Sequence, residues 1–166
     1  MDIFSFAIEK ERHAEQYYRD LAKKAGHEGL KNILTMLADE EAAHLRAVEQ
    51  MQRQSTPAVT ESPALDSARE MFSKMRTSAE TFKFDISEAD LYRKAAEIEQ
   101  QSKAYYLAKA DETEDASQKA IFMGLAEEEN KHLVLVQNIA DFVSRPETYL
   151  EDAEFTHLDN YADGEF

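Results

Sequence analysis

The stretch Leu37-Ala38-Asp39-Glu40-Glu41-Ala42-Ala43-His44-Leu45 returns eighty-eight residues later as Leu125-Ala126-Glu127-Glu128-Glu129-Asn130-Lys131-His132-Leu133. Each copy sets a Glu and a His three residues apart inside an apolar run of helical spacing. Both side chains therefore fall on the face that the neighbouring leucines would bury. The same offset aligns the two halves of the chain without a gap. Ala7, Glu9, Glu11, Tyr17, Tyr18 and Ala22 meet Ala95, Glu97, Glu99, Tyr105, Tyr106 and Ala110. A helix-rich chain self-aligns loosely on Ala, Leu and Glu, but not on a repeated Tyr-Tyr and a repeated Glu-x-x-His at one offset. The repeat predicts two helical hairpins facing each other across a pseudo-two-fold axis.

Taken in order, Phe4, Ile8, Ala14, Tyr18, Ala22 and Ala25 define a first helix, and Gly26 and Gly29 bracket a turn. Leu30, Ile33, Leu34, Leu37, Leu45, Val48 and Met51 define a second. The run from Ser55 to Pro63 breaks helix and reads as a linker. Leu65, Ala68, Phe72, Met75, Ala79 and Phe82 then keep helical spacing, so the connection contains a helix of its own. Asp85 or Ser87 caps a third main helix from about Glu88 to Asp111. A fourth carries Phe122, Leu125, Leu133, Val136, Ile139 and Val143 and stops before Pro146. With no period-two alternation, the expected fold is all-α, a four-helix bundle of two hairpins joined by a long crossover. The bundle would occupy residues 1–145, with hairpins at about 3–54 and 88–144 and a crossover at 55–87. A tail at 146–166, bearing Tyr149, Leu150, Phe155, Leu158 and Tyr161, would dock on the bundle or on a second subunit.

Polar residues interrupt all four apolar stripes. Glu41 and His44 do so in the second helix, Glu129 and His132 in the fourth, Glu11 in the first and Glu99 in the third. At about 1.5 Å per residue, Glu11, Glu41 and His44 all lie roughly 20–25 Å from the first turn, and the second hairpin repeats the arithmetic. Four carboxylates and two imidazoles thus converge on one layer. Unpaired there, each carboxylate would cost several kcal/mol. Two divalent cations balance the four charges and leave both imidazoles neutral. One Glu from each of two helices plus Glu-x-x-His from each of the other two is the ligand set of a dinuclear carboxylate site. Oxygen and nitrogen donors without sulfur suit iron or manganese, with zinc able to compete. Glu41 and Glu129 would bridge, with Glu11 and His44 on one metal and Glu99 and His132 on the other. Tyr18 and Tyr106 lie two turns beyond Glu11 and Glu99 on the same face. They fill core and can hydrogen-bond a ligand carboxylate of the opposite hairpin. Glu9, Glu97, Glu40 and Glu128 also repeat but sit off the inner stripe; a role behind the ligands is open, and a solvated surface suits their position. His13 and His27 read as surface histidines, and Glu154-Phe155-Thr156-His157, without a repeat partner, as a chance match.

A net charge of −15 argues against nucleic acid and anionic membrane surfaces as partners. No cysteine is present, which excludes disulfides, thiolate nucleophiles and iron–sulfur clusters. No apolar run approaches membrane-spanning length and the start is acidic and amphipathic, so the expected location is cytoplasmic.

The motifs Glu11-x-x-Ala14-x-x-x-Tyr18, Glu41-x-x-His44, Glu99-x-x-Ser102-x-x-x-Tyr106 and Glu129-x-x-His132 resemble the rubrerythrin branch of the ferritin-like superfamily, over nearly the whole chain. The tail from Ala153 to Tyr161 is similar to a segment of its shorter, rubredoxin-free members. The resemblance implies a non-haem site of two iron ions that reacts with hydrogen peroxide or dioxygen, in a homodimer. Ferritin-like oxidation and storage of ferrous iron, or a non-catalytic metal-binding scaffold, are the alternatives. Two departures stand out. Rubrerythrins proper carry a rubredoxin domain whose iron is held by four cysteines; lacking cysteine, this chain would need a separate electron donor such as a rubredoxin or flavoprotein. They also place an extra Glu three residues after the third-helix ligand, which exchanges with a His on a change of redox state. Here that position is Ser102, which leaves the symmetric six.

Overall fold

The computed structural model describes residues 3–53 and 63–151. Six helices account for almost all of them: α1 (Ile3–Lys24), α2 (Glu28–Gln52), α3 (Ala64–Thr77), α4 (Ile86–Glu112), α5 (Ala116–Ser144) and α6 (Pro146–Glu151). No strand occurs among the described residues. Helices α1 and α2 form one antiparallel hairpin and α4 and α5 the other, and the two pack together as a four-helix bundle. The crossover carries α3 across α2 and α5, and α6 closes back on α3 and α5.

Local chemistry explains the element ends. The Asp115 carboxylate accepts from the Gln118 N–H at 3.0 Å and starts α5; Asp85 accepts from Ser87 N–H at 3.0 Å and starts α4. The α2 cap is a ring nitrogen, His27 Nδ1, which accepts from Gly29 N–H at 3.0 Å. Gly29 therefore belongs to the first turn of α2 rather than to the connection before it. Its lack of a Cβ matters, because a methyl there would stand 3.0 Å from Met71 Sδ on α3 and 3.1 Å from the capping ring. The periodicity of the crossover overshoots its helix. Alpha-helix α3 ends at Thr77, Ala79 is exposed, and Phe82 reaches the core from an extended segment, against Phe142 at 5.5 Å. Leu150 and Tyr149 of the expected tail are buried, the Tyr149 hydroxyl donating to Asn138 at 2.9 Å. Phe155, Leu158, Tyr161 and the Glu154–His157 motif lie outside the described residues.

Hydrogen bonds express the repeat in three dimensions. Tyr17 donates to the Leu91 carbonyl at 2.6 Å, and Tyr105 to the Ile3 carbonyl at 2.7 Å. Both donors and both acceptors are eighty-eight residues apart. The apolar core divides into two clusters. One gathers Leu21, Leu30, Leu34, Leu37, Phe72, Val136, Phe142 and Tyr149; the other gathers Ala7, Ile8, Val48, Met51, Phe122 and Leu125. The polar layer lies between them. No helix is long and apolar enough to cross a membrane among the described residues.

Candidate metal centre

Between the two apolar clusters, Glu11, Glu41, His44, Glu99, Glu129 and His132 are all at least 95 % buried. Each main helix contributes for the same reason. These residues occupy core-facing positions of their stripes, so packing the flanking Leu, Ala and Tyr side chains carries the carboxylates inward with them. Their donor atoms form two groups, each with all atoms within 4.8 Å of one another: Glu11, Glu41, His44 and Glu129, and then Glu41, Glu99, Glu129 and His132. Glu41 and Glu129 belong to both. That is the grouping expected of two bridging carboxylates with two outer pairs.

The two-fold relation holds inside the layer. His44 Nδ1 lies 2.8 Å from Glu129 Oε1, and His132 Nδ1 lies 2.9 Å from Glu41 Oε1. The rings stack with centroids 5.5 Å apart and planes 15° from parallel. Tyr18 donates to Glu99 Oε1 at 2.5 Å, and Tyr106 donates to Glu11 Oε1. Each phenol thus holds a carboxylate of the opposite hairpin.

Glu11, Glu41, Glu99 and Glu129 each retain one buried carboxylate oxygen, Oε2, with no hydrogen-bond donor among the described residues. Buried oxygens left in this way cost free energy unless something else fills their lone pairs. Four of them, with two Nδ1 atoms alongside, are a set of oxygen and nitrogen donors suited to two hard or borderline divalent cations.

Without a cation, protons partly neutralise the layer. Burial, reinforced by the other carboxylates, pushes Glu41 and Glu129 well above the usual carboxylate range. Burial alone would do the same to Glu99, but hydrogen bonding with Glu129 and the field of His132 outweigh it and hold Glu99 low. The two imidazoles diverge. Desolvation lowers His44, whereas at His132 it is overcome by Glu99 and by the hydrogen bond that the ring donates to Glu40, and the ring is raised well above 6.5.

Glu40 is the residue that helical periodicity misplaces. Far from being a solvated surface group, its carboxylate lies 2.7 Å from His132 Nε2 through Oε2 and accepts from the Ala64 N–H at 3.3 Å through Oε1. It links the outer edge of a ligand ring to the first turn of α3. Glu40 is half-buried; its repeat partner Glu128 is buried, ion-paired to Lys131 at 3.1 Å, and adds a negative field at His44. Glu9 and Glu97 do lie on the surface, as does His13. The signal for Glu40 and Glu128 was their place in the repeat. What buries Glu40, the start of α3, is invisible in the spacing of α2.

A comparison with curated proteins and one with solved structures returned no match. The sequence profile described as Rubrerythrin, however, matches residues 2–140. That span runs from the start of α1 to near the end of α5 and holds all six clustered donors. The chain therefore belongs to the rubrerythrin family, and its all-α fold is a ferritin-like bundle.

Proposed function

We propose that this protein binds two iron ions in the Glu11, Glu41, His44, Glu99, Glu129, His132 layer and reduces hydrogen peroxide, or more slowly dioxygen, there. The observation that carries the reading is the unpartnered oxygen on each of four buried carboxylates, from four different helices, facing two imidazoles. Two ferrous ions bound in this layer supply the two electrons that, with two protons, turn one hydrogen peroxide into two waters. The protein's own part is positional. Tyr18 and Tyr106 hold the Glu99 and Glu11 carboxylates in place while leaving their second oxygens available. The apolar clusters on either side keep bulk water from the layer. Glu40 orients His132 so that its Nδ1 faces the carboxylates.

No cysteine occurs among these 166 residues, so none of them can hold a rubredoxin iron; we propose a separate donor, a rubredoxin or a flavoprotein, for the electrons. The working form is a cytoplasmic homodimer. Protein made under anaerobic, iron-replete conditions should carry about two irons per chain and, once oxidised, show oxo-bridged di-iron absorption. The di-ferrous form should be oxidised much faster by peroxide than by oxygen. Glu41→Ala combined with Glu129→Ala should abolish metal retention. Zinc or manganese in place of iron, or equal sluggishness toward both oxidants, would defeat the proposal.

A further inference from the structure

The α1–α4 seam carries a cleft of about 290 Å³ lined, among the described residues, only by those of the two helices. Its lining is made of repeat-related positions: Glu9 with Glu97, and His13 with Gln101. A cleft built from equivalent positions of both hairpins sits on the pseudo-two-fold axis. Glu41 and Glu129, the repeat-related pair shared by both donor groups, are centred on that axis too. The cleft therefore points at the midpoint between the two groups.

Its lining is exposed or half-buried except at one place. Ser102 is 5 % exposed, forms the floor, and lies one helical turn after Glu99. On the opposite side the first turn of α3 meets the layer at Glu40, whose carboxylate accepts from the Ala64 N–H at 3.3 Å. The ligand count points the same way. Helices α2 and α5 each bring a Glu and a His, whereas α1 and α4 each bring one carboxylate, so open coordination positions would face the α1–α4 seam. At the mouth, Glu9 and Glu97 are offset by Lys10 and Lys94. A mouth without net charge neither gathers cations nor gathers anions.

We infer that this cleft is the way in for a small neutral oxidant, with Ser102 setting its width at the floor; the inference rests on the oxidant chemistry proposed above. A larger side chain at Ser102 would close the floor, and a bulky one at exposed Gln101 would cover the mouth; neither position is itself a clustered donor.

The test uses dissolved dioxygen as a neutral paramagnetic probe of backbone amides in the zinc-loaded protein, where no redox chemistry occurs. The amides of Glu99 and Ser102 should relax more strongly than the buried amides of Leu135 and Phe142. The excess should vanish in Ser102→Leu and in Gln101→Trp, and persist in Ser102→Ala. In the di-ferrous protein, the two filling variants should slow oxidation by peroxide about tenfold, since access then depends on transient opening. The Gln101→Trp arm decides the matter should Ser102→Leu fold poorly. Relaxation at Glu99 and Ser102 no greater than at Leu135, or an unchanged peroxide rate in both filled variants, overturns the cleft and leaves the di-iron reading intact. The expected relaxation in a protein whose di-ferrous form ignores peroxide would retain the cleft and remove the function.

Discussion

At Tyr106 a buried hydroxyl donates to Glu11, one of four carboxylates that are already short of donors. Removing it leaves Glu11 with less to stabilise its charge in a dry layer. Tyr106→Phe is expected to lower the stability of the metal-free protein by about 1–3 kcal/mol, read from urea unfolding. Tyr18→Phe should match it, because the two bonds are related by the repeat. Glu40 acts differently. It touches a ligand ring from behind, so Glu40→Gln should weaken metal binding by roughly 10–100-fold while leaving the metal count at saturation unchanged. Competition with a chelator would measure this, and an unchanged affinity would mean that the 2.7 Å contact with His132 does not orient the ring.

At the scale of elements, α3 is more than a connection. Phe72 is fully buried and meets Phe142 and Tyr149 edge-on at centroid distances of 5.3 and 5.0 Å. Phe72→Ala should therefore cost about 3–5 kcal/mol by denaturant unfolding, as for a large-to-small change in a close-packed core. An α3 that merely bridged the hairpins would give a loss below about 1 kcal/mol. The packing of α3 also explains why α5 is buried well beyond its predicted stripe. Val134, Leu135 and Phe142 fall outside the run 122, 125, 129, 132, 136, 139, 143, yet all three are covered. A helix contacted by α4, by α3 and by α6 needs apolar side chains on several faces.

The whole molecule responds to pH through its buried layer. A carboxyl or imidazole raised on folding binds its proton more tightly in the folded than in the unfolded chain, so its stabilising contribution is lost as pH rises. Glu41, Glu129 and His132 are raised and act in this sense. His44 and Glu99 are lowered; the unfolded His44, with its ordinary value of 6.5, still binds protons up to about one unit above that and works in the opposite sense there, whereas above about pH 7.5 both are deprotonated in either state and contribute no further change. Above about pH 7.5 the metal-free protein should therefore lose stability with rising pH, by up to about 1.4 kcal/mol per pH unit for each proton released on unfolding. The metal-loaded protein should behave oppositely, because bound cations displace those protons and bind more tightly as pH rises. Melting temperatures of both forms from about pH 7.5 to 9 would show the two curves diverging; parallel curves would mean that the six residues do not act as one site.

Much of this was legible in the sequence. Helical periodicity, the eighty-eight-residue repeat and the intrusion of Glu and His into apolar stripes suffice to place Glu11, Glu41, His44, Glu99, Glu129 and His132 in one layer. Those are properties of single helices and of register, and register is written in spacing. Even the Tyr18 and Tyr106 bonds across the bundle follow from symmetry and reach. Tertiary structure alone decided the rest. The burial of Glu40 depends on where α3 begins, the extra buried faces of α5 depend on what α3 and α6 cover, and the cleft above Ser102 depends on how far α1 stands from α4. Each is set by contacts between segments far apart in the chain, and no periodicity within one helix encodes what a distant helix will cover.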